Sequence, residues 1–132
     1  MSLAAWFGVA AGAATGALIR WRLGIALNPV FPTLPLGTLC ANLIGGLLMG
    51  LLIEFFARNA GVPPALRIAV TTGFLGGLTT FSTFSAETVN LLLRGEYAWG
   101  SIEIGTHVAG SLAMTILGIF LIRFFASLRG FS

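Results

Sequence analysis

Between Gly73 and Ser85 the chain reads GFLGGLTTFSTFS, three glycines followed by five hydroxyl residues set around two phenylalanines. The stretch holds no base or acid that could activate its hydroxyls for chemistry. Its residues supply backbone and side-chain dipoles instead. Gly76-Gly77 followed by Leu78-Thr79-Thr80 is a candidate break in a helix, because glycine is among the weakest helix formers. Inside a bilayer, freed backbone groups are tolerated only where protein or a water-filled cavity meets them. Carbonyls released there can coordinate a cation, as half-helix ends do in transporters. After the break, Phe81 and Phe84 are three apart and share a helix face, Ser82 and Ser85 share an adjacent one, and Thr83 extends the polar side. Residue types alone support a second account equally well. Glycines in membrane helices often serve close packing, and hydroxyls often bond their own backbone.

The rest of the chain offers almost no material for catalysis. It has one histidine (His107), one cysteine (Cys40) and no aspartate, and no nucleophile–base pair, metal-ligand cluster or phosphate loop can be read from it. The chain is therefore read as a non-enzyme.

The elements that must position these residues follow from composition. Of 132 residues, 57% are hydrophobic and 8% charged, with no lysine; a soluble domain carries about a quarter charged residues. A membrane helix needs about 20 apolar residues, and four uncharged runs approach that length: Leu3–Ile19, Leu34–Ile53, Ile68–Ala86 and Ile104–Ile122. Charges and prolines fill the gaps. The expected fold is all-α, a single integral membrane domain over 1–132 with four transmembrane helices at about 3–27, 34–57, 66–93 and 102–126. The third of these is expected to be broken near mid-membrane. The runs lack the alternation of an outer-membrane barrel. The first has no basic start and no polar domain after it, so it reads as a retained helix rather than a signal peptide. The lone Cys40 rules out an intrachain disulfide. A net charge of +3 from arginines near helix ends suits lipid headgroups better than nucleic acid.

Basic residues favour the cytoplasmic side. With the amino terminus inside, Arg58, Arg67, Arg123 and Arg129 are inner, while Arg20, Arg22 and Arg94 are outer. Four against three is almost no bias, which predicts insertion in both orientations and antiparallel dimers. Gly8, Gly12 and Gly16 form a double GxxxG, and Gly46 with Gly50 forms another. These serve either association between subunits or packing within one.

GFLGGLTTFSTFSAE closely resembles the third-helix signature of the Fluc (CrcB) fluoride channels. GTLCANLIGG, Gly37 to Gly46, is similar to the family's second-helix motif, with Asn42 at its asparagine position. GALIR, Gly16 to Arg20, and HVAGSLAMTILG, His107 to Gly118, resemble its first and fourth helices. Cys40 stands where another small or branched residue is expected. The resemblance implies a bacterial inner-membrane, dual-topology homodimer of inverted subunits with two pores, each lined by both subunits. It implies a structural Na+ held at the dimer interface by the backbone carbonyls of Gly76 and Thr79. It places fluoride along Asn42, Phe81, Phe84, Ser82, Thr83, Ser85, Ser111, Thr115 and Thr38, with Arg20 at a vestibule. Those side chains suit a small, strongly hydrated anion. Asn42 has two amide donors, the phenylalanine edges carry partial positive charge, and Ser111 and Thr115, four apart, line one helix face. Asn42 would otherwise make an interhelical bond, and the rings would otherwise be core packing.

Two other functions compete. A small proton-coupled exporter of the dual-topology type needs a carboxylate well inside the membrane, but Glu54 and Glu87 lie toward run ends, where they are expected to pair with arginines or face water. A non-conducting adaptor needs neither a broken third helix nor an asparagine opposite it. His107 is expected to be a hydrogen-bonded interfacial residue rather than a proton shuttle or a metal ligand.

Overall fold

The computed structural model describes residues 2–129. Helix α1, Leu3–Leu27, starts at Ser2, whose side chain accepts a hydrogen bond from the Ala5 N–H at 3.3 Å. A short 3-10 turn, Asn28–Val30, follows, and the Asn28 Oδ1 accepts the Gly37 N–H at 2.8 Å. That bond ties the end of α1 to the start of α2, Leu36–Arg58. Pro35 stands at the N-cap of α2, so the helix begins slightly later than the expected residue 34. Arg67 closes the next loop by donating to the carbonyls of Asn59 at 2.8 Å and Val62 at 3.2 Å, with its guanidinium 5.0 Å above the Phe56 ring.

The stretch expected as one helix over 66–93 is built from several pieces. Helix α3, Pro64–Ile68, widens into a π-helical segment, Ala69–Leu75, which tightens into α4, Gly76–Leu78. Thr79 and Thr80 are extended, and α5, Phe81–Leu93, begins afresh. Gly76 itself is helical, so the glycines precede the extended pair rather than form it. The extended residues are two adjacent β-branched threonines. Gly95, with φ 76°, makes the left-handed turn that lets α6 run from Tyr97 to Arg129. That helix is longer at both ends than the expected 102–126, and it takes in Glu103, just before the uncharged run Ile104–Ile122.

The described residues contain no strand. Three helices, Leu3–Val30 with its 3-10 turn, Leu36–Arg58 and Tyr97–Leu128, are long and apolar enough to cross a membrane. The third apolar run does not qualify as a single helix because it is divided. Residues 64–78 and α5 each fall short of the about 20 residues a crossing needs. Many large apolar side chains, among them Phe7, Trp21, Leu112 and Phe120, face outward, as lipid-facing residues do.

The pieces are positioned by close backbone contact. Alpha-carbons of α1 press against the π segment and α4, and α2 runs along α6. A Cβ at Gly12 would meet the Ala69 carbonyl at 2.5 Å, and one at Gly46 would meet the Ser111 carbonyl at 2.8 Å. Both GxxxG stripes are thus occupied by packing within the chain. The buried centre is Ala41, Leu75 and Leu78, flanked by Leu23, Leu48, Met49, Leu52 and Phe74. The stretch that interrupts the third helix is therefore anchored at the best-packed point of the fold.

Candidate functional site

The backbone of the extended pair determines the site. Thr79 has φ −84° and ψ 156°, and Thr80 has φ −151° and ψ 113°. In a continuous helix the Thr80 N–H would bond the Gly76 carbonyl, four residues back. Here it donates instead to the Asn42 Oδ1 at 2.8 Å. Likewise the Thr83 N–H, which would bond the Thr79 carbonyl, donates to the Thr80 Oγ1 at 3.1 Å. The carbonyls of Gly76 and Thr79 each lose their helical partner. The Gly77 carbonyl accepts from the Arg20 Nε at 3.0 Å.

Asn42 works as a clamp. Its Nδ2 donates to the Thr80 carbonyl at 3.2 Å and lies 3.0 Å from the Nδ1 of His107. The Thr80 N–H requires the amide oxygen on its side, so the amide nitrogen faces His107. The amide therefore fills both its N–H positions inside the protein. This is the interhelical bond that the sequence left open as an alternative, and the segment it holds is the extended one.

Two recesses flank the clamp. The first, of about 500 Å³, brings together Asn42, Gly76, Thr79, Phe81, Phe84, Ser111 and Thr115, with His107. The second, of about 540 Å³, brings together Arg20, Thr38 and Thr83. Thr80 lines both. Ser82 and Ser85 line neither; Ser82 is exposed, with its Oγ 3.3 Å from the Thr80 Oγ1.

The two phenylalanines have unlike surroundings. Phe84 is 7% exposed and stacks on the His107 ring, with centroids 4.6 Å apart. Phe81 is 77% exposed in the single chain and meets Phe84 edge-on at 5.4 Å. Thr115 turns its hydroxyl to the Gly46 and Ser111 carbonyls, both at 3.0 Å. Thr38 donates to the Glu87 Oε1 at 2.7 Å.

Glu54 does pair with arginines, accepting from Arg58 and Arg123 at 2.9 Å each. Glu87 does not; its recorded partner is Thr38. His107 is hydrogen-bonded as expected, and it is deeply buried. Sequence reasoning placed Thr80 in the break but missed its bonds to Asn42, and it missed Glu103. Glu103 had a readable signal: Glu103, His107, Ser111 and Thr115 recur every fourth residue and form one stripe along α6.

Residues 7–119 match the family described as CrcB-like protein, Camphor Resistance (CrcB). The chain belongs to the CrcB family. Within it, the chain is 60% identical to a protein of Nitrosospira multiformis named fluoride-specific ion channel FluC, over 96% of this chain and 98% of that one. It is 55% identical to proteins of the same name from Tolumonas auensis, over 84% and 87% of the two chains, and Pseudomonas paraeruginosa, over 85% and 88%. The CrcB match covers every residue of the clamp and both recesses.

Proposed function

We propose that this chain is a subunit of a passive fluoride channel of the bacterial inner membrane, not an enzyme. The observation that carries the reading is the Thr79–Thr80 interruption, clamped by Asn42 between two recesses lined by hydroxyls, a guanidinium and the Phe81–Phe84 pair. The names of the CrcB relatives supply the ion. The interruption lies near mid-membrane, and fluoride passes along Thr38, Asn42, Phe81, Ser82, Thr83, Phe84, Ser85, Ser111 and Thr115 from a vestibule at Arg20. Past the Arg20 vestibule, hydroxyl and ring-edge donors replace water around the anion without a fixed positive charge to trap it. Asn42 reaches the ion only by giving up one of its internal bonds, so its first duty is to hold the path open.

In this reading two inverted copies assemble as a homodimer within the lipid bilayer and form two pores. The Gly76 and Thr79 carbonyls of both copies hold a structural Na+. Their loss of helical partners supports this, since a hard monovalent cation takes oxygen ligands and half-helix ends commonly provide them.

Fluoride efflux from liposomes, with and without a proton gradient, tests the function. Efflux that needs no gradient is expected. Gradient-dependent efflux would favour the proton-coupled exporter, a reading for which the buried Glu103 is the specific observation. No efflux would leave a non-conducting membrane protein. Orientation is tested separately, with Cys40 removed and one cysteine placed at the tail. Labelling from one side should modify about half the molecules, because insertion is nearly unbiased. Complete labelling or complete protection rules out dual topology.

A further inference from the structure

Glu87, Glu103 and His107 each direct a ligand atom to one place, and those atoms lie within 4.8 Å of one another. Glu103 is 0% exposed and His107 is 4% exposed. Both oxygens of Glu103, the Oε2 of Glu87 and the Nε2 of His107 are buried without a hydrogen-bond partner. Thr38 supplies a single O–H, to the Oε1 of Glu87. Among the described residues no arginine bonds either carboxyl. Arg58 and Arg123 are committed to Glu54, Arg94 to Glu96, and Arg20 to the Gly77 carbonyl. Of the helices packed around the pair, α5 brings Glu87, α6 brings Glu103 and His107, and α2 brings the neutral Thr38 and Asn42.

Two ionised carboxylates so close together and so poorly solvated cannot coexist. Either a cation or a proton must relieve them. The clamp decides between these. The Thr80 N–H fixes the Asn42 amide, the Asn42 Nδ2 donates to the His107 Nδ1, and the neutral imidazole must then carry its hydrogen on Nε2. The nitrogen free of a partner is thus a donor, not a metal ligand.

We propose that Glu87 and Glu103 hold one proton between them and present it, together with the Nε2–H of His107, as donors to the passing anion. The proposal rests on the fluoride-channel reading above. It adds Glu103 as a residue that sets when the path accepts an anion. With one proton the pair carries a single negative charge and offers an O–H. When that proton leaves, two negative charges stand beside His107, which lines the first recess, and no acid donor remains. Conduction is therefore full at low pH and falls as pH rises through the titration of the pair. The protonated fraction drops about tenfold per pH unit above it, because the two groups titrate as a unit.

The test has two readouts on the full-length protein. In liposomes, fluoride flux is measured from about pH 5 to about pH 9, with the internal and external pH matched, across the range where carboxyl pairs and histidine titrate. The native protein should lose flux steeply at the alkaline end. Glu103→Gln keeps the side-chain shape and an N–H donor, leaves Glu87 as the single charge, and should conduct with a flat profile. A flat native profile, or an unchanged slope in Glu103→Gln, overturns the proposal. The second readout needs no transport. The native protein in detergent at neutral pH should show the infrared carbonyl stretch of a protonated carboxylic acid, shifted in heavy water and lost in Glu103→Gln. Absence of that band in the native protein overturns the proposal, as does stoichiometric Zn2+ binding that Glu103→Gln abolishes. If no protein moves fluoride at any pH, the channel reading has failed, and the infrared band alone decides where the proton sits. If Glu103→Gln does not fold, Glu87→Gln takes its place in both measurements with the same expectations.

Discussion

Helix α2 carries two polar sites that meet the membrane in opposite ways. Toward its end, Glu54 keeps its charge and has it cancelled, with Arg58 and Arg123 each at 2.9 Å and both arginines partly exposed. Arginines placed so can keep their heads at the headgroup level while their stems pass over apolar surface. Nearer the start of α2, Asn42 has no ionised partner. It satisfies both backbone groups of Thr80 and the Nδ1 of His107 with a neutral amide. Where solvent is near, the chain spends charge; where the helix is interrupted, it spends dipoles. An anion pathway needs the second kind of site, because a fixed cation would hold the ion.

The comparison breaks most severely if the charge-free site is given a charge. Asn42→Asp replaces the Nδ2 donor with an oxygen facing the Thr80 carbonyl and the His107 Nδ1. An uncompensated buried charge costs about 3 kcal/mol, and a repulsion of that size raised against the passing anion slows it about a hundredfold. Fluoride efflux should fall by that order, and a near-native rate would show that the clamp tolerates charge. Phe81→Ile with Phe84→Ile should come next. It removes both positive ring edges while leaving apolar bulk, and flux should fall about thirtyfold if each edge contact is worth about 1 kcal/mol. Normal conduction would leave the rings as packing.

The glycines sharpen the comparison at the level of backbone. A Cβ at Gly77 would strike the Ala13 carbonyl, whereas one at Gly76 finds nothing nearer than the Thr71 carbonyl at 4.0 Å. Gly77→Ala should thus lose stability by overpacking, by about 1–3 kcal/mol. Gly76→Ala should fold. Thermal unfolding in Na+ against a larger cation then isolates the proposed ion: sodium raises the midpoint of the native dimer, and Gly76→Ala removes that increment if the carbonyl is withdrawn into the helix. Equal midpoints in both salts would remove the ion from the account. At the Glu54 site, Arg123→Gln should lower the midpoint by only a few degrees, less so at high salt, because Arg58 still faces the carboxylate and exposed pairs are weak. Thr79→Ser should change least. It retains the hydroxyl bond to the Leu75 carbonyl at 2.8 Å, and the proposed contribution is a backbone atom.

Different parts of this were legible in the sequence for different reasons. Composition gave the helices, since apolar runs of that length have few other uses. The site residues were legible as types, and Asn42, Phe81, Phe84, Ser111 and Thr115 do line one recess. Their partners were not. That the Asn42 amide faces the Thr80 backbone depends on a contact between residues 38 positions apart, which no local spacing encodes. The extended pair fell on Thr79 and Thr80, after the glycines, because glycine permits close approach to α1 as readily as it permits a break. Glu103 was left out of the fourth uncharged run, at the edge of the expected helix, because a carboxylate interrupts such a run. The four-residue rhythm it shares with His107, Ser111 and Thr115 places it on the inner stripe instead.

Thr80 lines both recesses, so its backbone is common to their walls. If water fills each and the two open to opposite sides of the bilayer, the insulating part shrinks toward the rise of one extended residue, about 3.4 Å. A transmembrane voltage falls where the medium is least polarisable. At about 100 mV it is worth about 2.3 kcal/mol per elementary charge, and nearly all of that would be delivered across the Thr80 peptide. Electrically the protein would then be a thin septum between two aqueous wells, with current set by the passage of one residue and little sensitivity to the length of the helices around it.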